Sequence, residues 1–339
     1  MTQEEKAYVH WLYQAVGMGG RGLLRSLETI GTPPELYQMA LSGSLLEKVA
    51  KRYQNKIAHV MEMTAGYDVQ GEYTRMTDRG IQLVTALEAE FPKRLKRIAD
   101  PPYVLYYAGR LLPAEHKAVA VIGARDCTEY GRYMAGQFAA ALAQAGVQVI
   151  SGMARGIDGI AQQAALQAGG YSLGVLGCGV DICYPRENSK LYEALIQQGG
   201  ICSEYPPGIG PRAILFPPRN RIISGMADAV LVIEAKEKSG TLITVDMALE
   251  QGKEVYVVPG RVTDRLSDGC NRLIKQGAGV FLSPEDFLRE LREGWQCGRG
   301  KAAQGGSLTA PEGLSGRLAQ LAPEYRKVYE ALDFAPLSV

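Results

Sequence analysis

Apolar residues in the first 75 positions recur at three-to-four spacing: Tyr8, Leu12 and Val16, then Leu23, Leu24 and Leu27, then Leu45, Leu46 and Val49. That period gives each of several short helices one apolar stripe. Gly17-Met18-Gly19-Gly20 separates the first from the second. Such a turn is compatible with a helix-hairpin-helix, which offers backbone N–H groups to a phosphate, but a plain helical turn is the expected reading. Gly31-Thr32-Pro33-Pro34 marks another helix start. Between 81 and 110 the pattern changes. The apolar segment 103–107, after Pro101-Pro102 and before Gly109, predicts a strand entering a larger domain.

From Lys117 onward, apolar runs at 118–122, 147–151, 172–176, 200–203, 229–234 and 254–258 alternate with helical periods at 130–144, 157–167, 189–197, 241–251 and 268–275. The better strand segments are continuously apolar, as strands covered on both faces are. The fold class predicted is α/β: an extended Rossmann-like, doubly wound, mostly parallel sheet whose ligands sit outside the carboxyl ends of the strands. The expected division is a small all-helical domain at 1–75, the sheet domain at 76–290, a linker at 291–316 rich in Gly, Ser and Ala, and an incomplete C-terminal module at 317–339. A single helix of that last length cannot build a core of its own.

Composition narrows the chemistry. Lys and Arg number 37 against 36 Asp and Glu, so any anion site must be a local patch rather than a property of the whole molecule. The six cysteines contain no CxxC pair, and the three histidines, His10, His59 and His116, all precede the repeated βα region without metal-ligand spacing. Neither a metal, nor a cofactor, nor a histidine-based triad is expected. No G-x-x-x-x-G-K-[ST] occurs, which argues against a P-loop ATPase. With no basic segment leading into an apolar run and no stretch of eighteen apolar residues, a cytoplasmic protein with no membrane contact is expected.

The loops after the predicted strands carry the candidate site. Gly123 ends the first strand, Arg125 stands in the loop, and Thr128 or Glu129 begins a helix whose free N–H groups suit a phosphate. Arg125 occupies the place of the second glycine of G-x-G-x-x-G and would block a pyrophosphate. Gly152 leaves the next strand, and Gly156 opens a helix that Asp158 is expected to cap. Gly177 and Gly179 crowd the third strand end as backbone support, where another chain or a ligand would lie close, beside Tyr184, Arg186 and Lys190. Phe216-Pro217-Pro218 reads as an extended entry to Arg219, Asn220 and Arg221, which would clamp phosphates or tie loops together. Lys236 and Lys238 approach the small-residue turn Ser239-Gly240-Thr241, and Arg261 stands in the last loop.

A nucleotide-cleaving enzyme is the alternative. The lysine-decarboxylase-like phosphoribohydrolases carry P-G-G-x-G-T-x-x-E, and here SGTLIT puts Thr244 where that glutamate belongs. A hydroxyl cannot replace that acid–base group. Glu204 and Glu234, at strand ends, remain as substitutes, and a nucleotide-binding sensor is the third class.

Taken in order, VIGARD, SGMARGIDGIAQQAAL, VLGCGVDICYPREN, SEYPPG, FPPRNRIISG, LVIEAKEKSGTLIT and VVPGRVTD closely resemble the bacterial DNA-processing protein A (DprA, Smf) family. The resemblance implies a non-enzymatic protein that binds single-stranded DNA without strong sequence preference, protects it during natural transformation and loads RecA recombinase. It also implies a homodimer formed through the Rossmann-like domain. Arg125 matches the arginine of the family's Gly-Ser/Thr-Arg motif, Arg186 the basic residue after Tyr-Pro, and Arg219, Asn220 and Arg221 its Arg-Asn-Arg. Residues 1–75 resemble its sterile-alpha-motif or helix-hairpin-helix module. Gln162 stands where many members have histidine, and 317–339 would only begin the winged helix with which many members end.

Overall fold

Along Val104–Gly109 successive side chains point to opposite sides of a strand, and each set meets its own core. Val104, Tyr106 and Ala108 join one apolar cluster, Leu105 and Tyr107 the other. The computed structural model describes residues 1–17, 21–111 and 116–297. Six helices come first: α1 (Gln3–Val16), α2 (Arg21–Glu28), α3 (Pro33–Ser42), α4 (Leu45–Lys48), α5 (Gln54–Thr64) and α6 (Val69–Asp78). Then come β1 (Gln82–Thr85), β2 (Val104–Gly109), β3 (Ala118–Ile122), α7 (Glu129–Gln144), β4 (Gln148–Ser151), α8 (Ile157–Gln167), β5 (Ser172–Val175) and α9 (Ser189–Gln198). The remainder is β6 (Gly200–Ser203), α10 (Phe216–Met226), β7 (Ala229–Val232), α11 (Gly240–Glu250), β8 (Glu254–Val257), α12 (Asp268–Lys275), β9 (Gly279–Val280) and α13 (Pro284–Cys297).

The strands form one sheet in the order β1-β2-β6-β5-β4-β3-β7-β8-β9, with β1, β2 and β6 paired antiparallel and the rest parallel. From β3 the chain winds one way to β6, then returns to place β7 on the other side of β3. The order reverses at β3/β7, and a crevice opens there at the carboxyl ends. Residues of α8 and α9 join the cluster of the N-terminal helices, while α10, α11 and α12 supply the opposite one. The sheet is thus covered on both faces, which explains the uninterrupted apolar runs. Phe91, Leu105 and Phe138 are completely enclosed; burial of each stabilises by roughly 2 kcal/mol.

The N-terminal helices share that core. Trp11 is fully buried and donates to Thr64 Oγ1 at 3.1 Å, His10 Nδ1 lies 3.2 Å from the Tyr106 hydroxyl, and Lys6 donates to the Leu83 carbonyl at 3.1 Å. Residues Met1–Leu291 form one compact unit. Two local expectations change. Phe216-Pro217-Pro218 is not extended: α10 starts at Phe216 with the prolines in its first turn, where a missing N–H costs nothing. At the other end α13 continues to Cys297, through the first residues assigned to a linker; Phe287 and Leu291, one turn apart, are buried. The rest of that linker, residues 317–339 and Met18-Gly19-Gly20 of the first turn lie outside the described residues. Among the described residues no helix is long and apolar enough to cross a membrane.

Candidate functional site

The loop after β3 is held from behind. A Cβ on Gly123 would stand 2.7 Å from the Ile157 side chain and 3.0 Å from the Glu234 carbonyl oxygen. Gly156, at φ +78°, presses so closely that a Cβ would lie 2.3 Å from the Ala124 carbonyl oxygen and 2.4 Å from that of Arg125. The Ile157 N–H donates to the same Ala124 carbonyl at 3.1 Å. Only glycine tolerates this combination of positive φ and contact. Arg125 itself is exposed and makes no hydrogen bond or ion pair among the described residues. Its Cζ stands 5.9 Å from the centre of the Phe216 ring.

The anion site expected at the start of α7 is already filled. Glu234, almost wholly buried, accepts from the Thr128 N–H at 2.9 Å and from the Thr128 hydroxyl, while Thr128 Oγ1 accepts from the Gly131 N–H at 3.0 Å. A carboxylate of the protein therefore occupies the positive helix end. The start of α11 differs. Ser239, Gly240 and Thr241 line an open cavity, and the Ser239 hydroxyl is buried without a partner.

Two of the expected phosphate clamps turn inward. Arg219 is 5% exposed and donates to the carbonyls of Gly152, at 2.9 Å, and Val175, with Nε on Asn220 Oδ1 at 3.2 Å. Asp158 lies beneath the same loop, accepting from the Gly152 N–H at 3.1 Å; it holds the β4 loop rather than capping α8, whose N-cap is Gly156. Burial pushes the Asp158 carboxyl above its ordinary range, against the pull of Arg219. The same burial pulls the Arg219 guanidinium below its own, with Asp158 opposing. Arg221, 6% exposed, pairs with Glu204 at 2.6 Å and Asp100 at 3.2 Å. The expectation that Arg219 and Arg221 reach out for phosphates is thus corrected: α10 packs on the sheet and turns both toward interior acceptors.

What faces outward is a cavity of about 550 Å³ at the β3/β7 crevice. Gly123, Arg125, Asp158, Arg219, Asn220, Lys236, Ser239, Gly240 and Thr241 all line it, as does Thr244. Four cations, Arg125, Arg212, Arg219 and Lys236, border it against two carboxylates, Asp126 and Asp158. Asp126 is further engaged by Arg155. Arg125, Arg212 and Lys236 are exposed and free of ion pairs among the described residues. Positive charge is therefore concentrated here although the chain is formally +1.

A smaller cavity of about 220 Å³ adjoins it, lined by Arg125, Gly152, Tyr184, Pro185, Phe216 and Arg219 among others. Tyr184 and Phe216 have ring centres 5.7 Å apart, and Tyr184 is 42% exposed. Arg186, Lys190, Lys238 and Arg261 are all exposed but line neither cavity. Gly177 and Gly179 are buried, the first against the Phe216 ring, the second against the Pro206 carbonyl and Asp181. Of the two neighbours expected there, polypeptide rather than ligand packs against both, here from elsewhere in this same chain. Sequence reasoning missed Phe216 and Arg212. Their only signal was position: an aromatic residue beside a proline pair, and an arginine in the loop after β6.

A family model described as DNA recombination-mediator protein A matches residues 82–292. The chain belongs to that family. Within the DNA recombination-mediator protein A family, it is 39% identical over 217 residues to the DNA processing protein DprA of Bacillus subtilis, covering 64% of this chain and 73% of that protein. It is 43% identical over 213 residues to protein Smf of Escherichia coli, a match spanning 62% of this chain and 57% of that one. The X-ray structure of DprA from Streptococcus pneumoniae superposes with a TM-score of 0.70 at 33% identity, over 86% of this chain and 98% of that one. DNA processing protein A from Helicobacter pylori, whose structure is described for its single-stranded DNA binding mode, superposes with a TM-score of 0.57 at 32% identity, over 63% and 97%.

The acids considered for hydrolysis are both engaged. Glu234 is held by Thr128 and Glu204 by Arg221, and neither lines the crevice cavity.

Proposed function

We propose that this chain is a non-enzymatic single-stranded DNA-binding protein that grips backbone phosphates, without sequence preference, at the β3/β7 crevice. The observation that carries this reading is the trio of exposed cations, Arg125, Arg212 and Lys236, unpaired among the described residues, around one cavity in a nearly neutral chain. Arg186, Lys190, Lys238 and Arg261 extend the grip along the surface. Phosphate contacts position a strand without reading bases, and Tyr184 and Phe216 offer aromatic faces that any base can meet. The single-stranded DNA binding named for the Helicobacter pylori relative supports the same ligand.

The finer role proposed is to protect incoming strands in the cytoplasm during natural transformation and to hand them to RecA recombinase. The chain acts as a homodimer formed through the sheet domain. In the same reading, residues 1–75 are the helical module.

Fluorescence anisotropy with single- and double-stranded oligonucleotides tests the binding. A single-strand preference that Arg125→Ala and Arg186→Ala both weaken, for all sequences alike, is the expected result. Loss confined to one sequence would refute phosphate positioning, and equal affinity for duplex would refute the single-strand reading. RecA filament growth on a strand coated with single-strand-binding protein, with and without this chain, tests the hand-over, and light scattering tests the dimer.

A further inference from the structure

At the amino end of the sheet, opposite the crevice, the chain runs Phe91-Pro92-Lys93-Arg94-Leu95-Lys96-Arg97-Ile98. Phe91, Leu95 and Ile98 are buried. Leu95 and Ile98 pack so closely on the end of α10 that a Cβ on Gly225 would stand 2.9 and 3.0 Å from their side chains. The 3₁₀ turn Leu95–Arg97 leaves Lys93, Lys96 and Arg97 exposed. The basic run is therefore a fixed ledge.

Arg94 fastens the ledge to the strands. Its Nε and Nη2 donate to the two oxygens of Asp228 at 3.1 and 2.8 Å, and Nη2 also to the His116 carbonyl at 2.7 Å, just ahead of β7 and β3. Lys253 joins from the turn before β8, donating to the Ala227 carbonyl at 2.7 Å. Burial lowers the Lys253 pKa, and Arg94 and Arg97 lower it further against the pull of Asp228, as crowded like charges do. Asp228, the carboxylate among these cations, already accepts from Arg94 and from the Ala118 N–H. Glu88 and Asp100, which flank the run, are committed to Lys6 and to Arg25 and Arg221; Glu90, Glu250 and Glu254 are exposed. The side chains of Lys93 and Arg97 make no hydrogen bond or ion pair among the described residues.

Fixed positive charge of this kind attracts a polyanion. Among the described residues of the ledge no large apolar side chain is exposed. A protein partner anchors through aromatic and aliphatic groups, and a membrane surface takes apolar side chains as well as cations. A ligand that brings regularly spaced charge alone is a nucleic-acid backbone.

We infer that Lys93, Lys96 and Arg97 form a second phosphate-binding surface, which takes the far part of a single strand whose near part lies in the crevice. That the two surfaces share a strand rests on the strand-binding reading of the crevice. Strand β3 separates them by roughly 15 Å, loops aside, so only a strand longer than the crevice holds can touch both.

Fluorescence anisotropy of the full chain with single strands of about 6 and about 30 nucleotides, one within and one beyond what a single binding groove holds, tests it. Lys93→Ala combined with Arg97→Ala is expected to weaken the long strand on the order of tenfold and to lower its salt slope by about 1.4, as loss of two phosphate contacts does. Short-strand binding stays unchanged. Lys93→Gln, a mild change at an exposed position, lowers the slope by about 0.7 and keeps the test decisive if the double variant fails to fold. Arg125→Ala weakens both lengths; if it weakens neither, the crevice reading falls and the shared path with it. A long strand indifferent to the ledge variants, or both lengths weakened equally, overturns the second surface alone. So does poly-glutamate binding that these variants abolish while long-strand affinity is retained, which assigns the ledge to an acidic protein segment.

Discussion

The Arg125 guanidinium stands 5.9 Å from the centre of the Phe216 ring, and the buried Arg219 guanidinium lies 5.7 Å from the same ring. One aromatic residue thus sits between an arginine committed to the interior and one left to solvent. Arg219 holds the ends of β4 and β5 by their carbonyls, and Arg125 faces whatever enters the crevice.

Salt dependence is the first consequence. If Arg125 neutralises one phosphate of a single strand, Arg125→Ala lowers the slope of log affinity against log salt by about 0.7. Anisotropy titrations across a salt series measure it. An unchanged slope with weakened affinity would mean that Arg125 acts by stacking rather than by charge.

Arg219 has the opposite profile. Arg219→Ala leaves Asp158 buried without its cation and two carbonyls without a donor, and is expected to destabilise the fold by about 3–5 kcal/mol. Arg219→Lys restores less than half, because one ammonium cannot span Gly152 and Val175 as the fork does. Denaturant unfolding decides: full stability with lost strand binding would show Arg219 serving the ligand instead.

Gly156→Ala couples stability to binding. Its Cβ would meet the Ala124 and Arg125 carbonyls at a φ of +78°, so the loop must move. The expected cost is about 2–4 kcal/mol, with strand affinity falling as Arg125 is displaced. Anisotropy at a temperature where the variant stays folded separates the two effects; wild-type affinity there would sever the link between Gly156 and Arg125.

His10 predicts the acid response. Burial lowers its pKa to about 4, outweighing Glu72, against 6.5 when exposed. The unfolded chain binds the proton more readily, so the contribution of neutral His10 is complete above pH 6.5. It is lost as pH falls from there toward 4, amounting to roughly 3 kcal/mol. Unfolding free energies measured over this range should slope upward with pH, and His10→Phe should flatten the slope. A slope equal in both proteins would place the titration elsewhere.

Much of the architecture was legible because its signals are local. The runs at 118–122 and 200–203 match β3 and β6 to the residue, since a strand covered on both faces must be continuously apolar. Strands β1 and β9 were not: β9 is two residues long, too short to carry a period, and β1 opens on the exposed Gln82 at the sheet edge and exists through its antiparallel partner β2. Helix α10 escaped because Pro217 and Pro218 read as helix breakers unless the helix begins just before them.

The sequence by itself determined the doubly wound α/β class, the order of the loops and the place of Arg125, because strand burial and loop chemistry are written within a few neighbouring residues. It did not determine which arginines face solvent. Arg219 and Arg221 are set by acceptors 17 to 121 residues away, at Gly152, Val175, Glu204 and Asp100. Only the packing of α10 across the sheet brings those within reach. Among the described residues, Arg125, Arg212 and Lys236 are left free of ion pairs for the complementary reason: the reversal of strand order at β3/β7 opens a gap that no described helix covers.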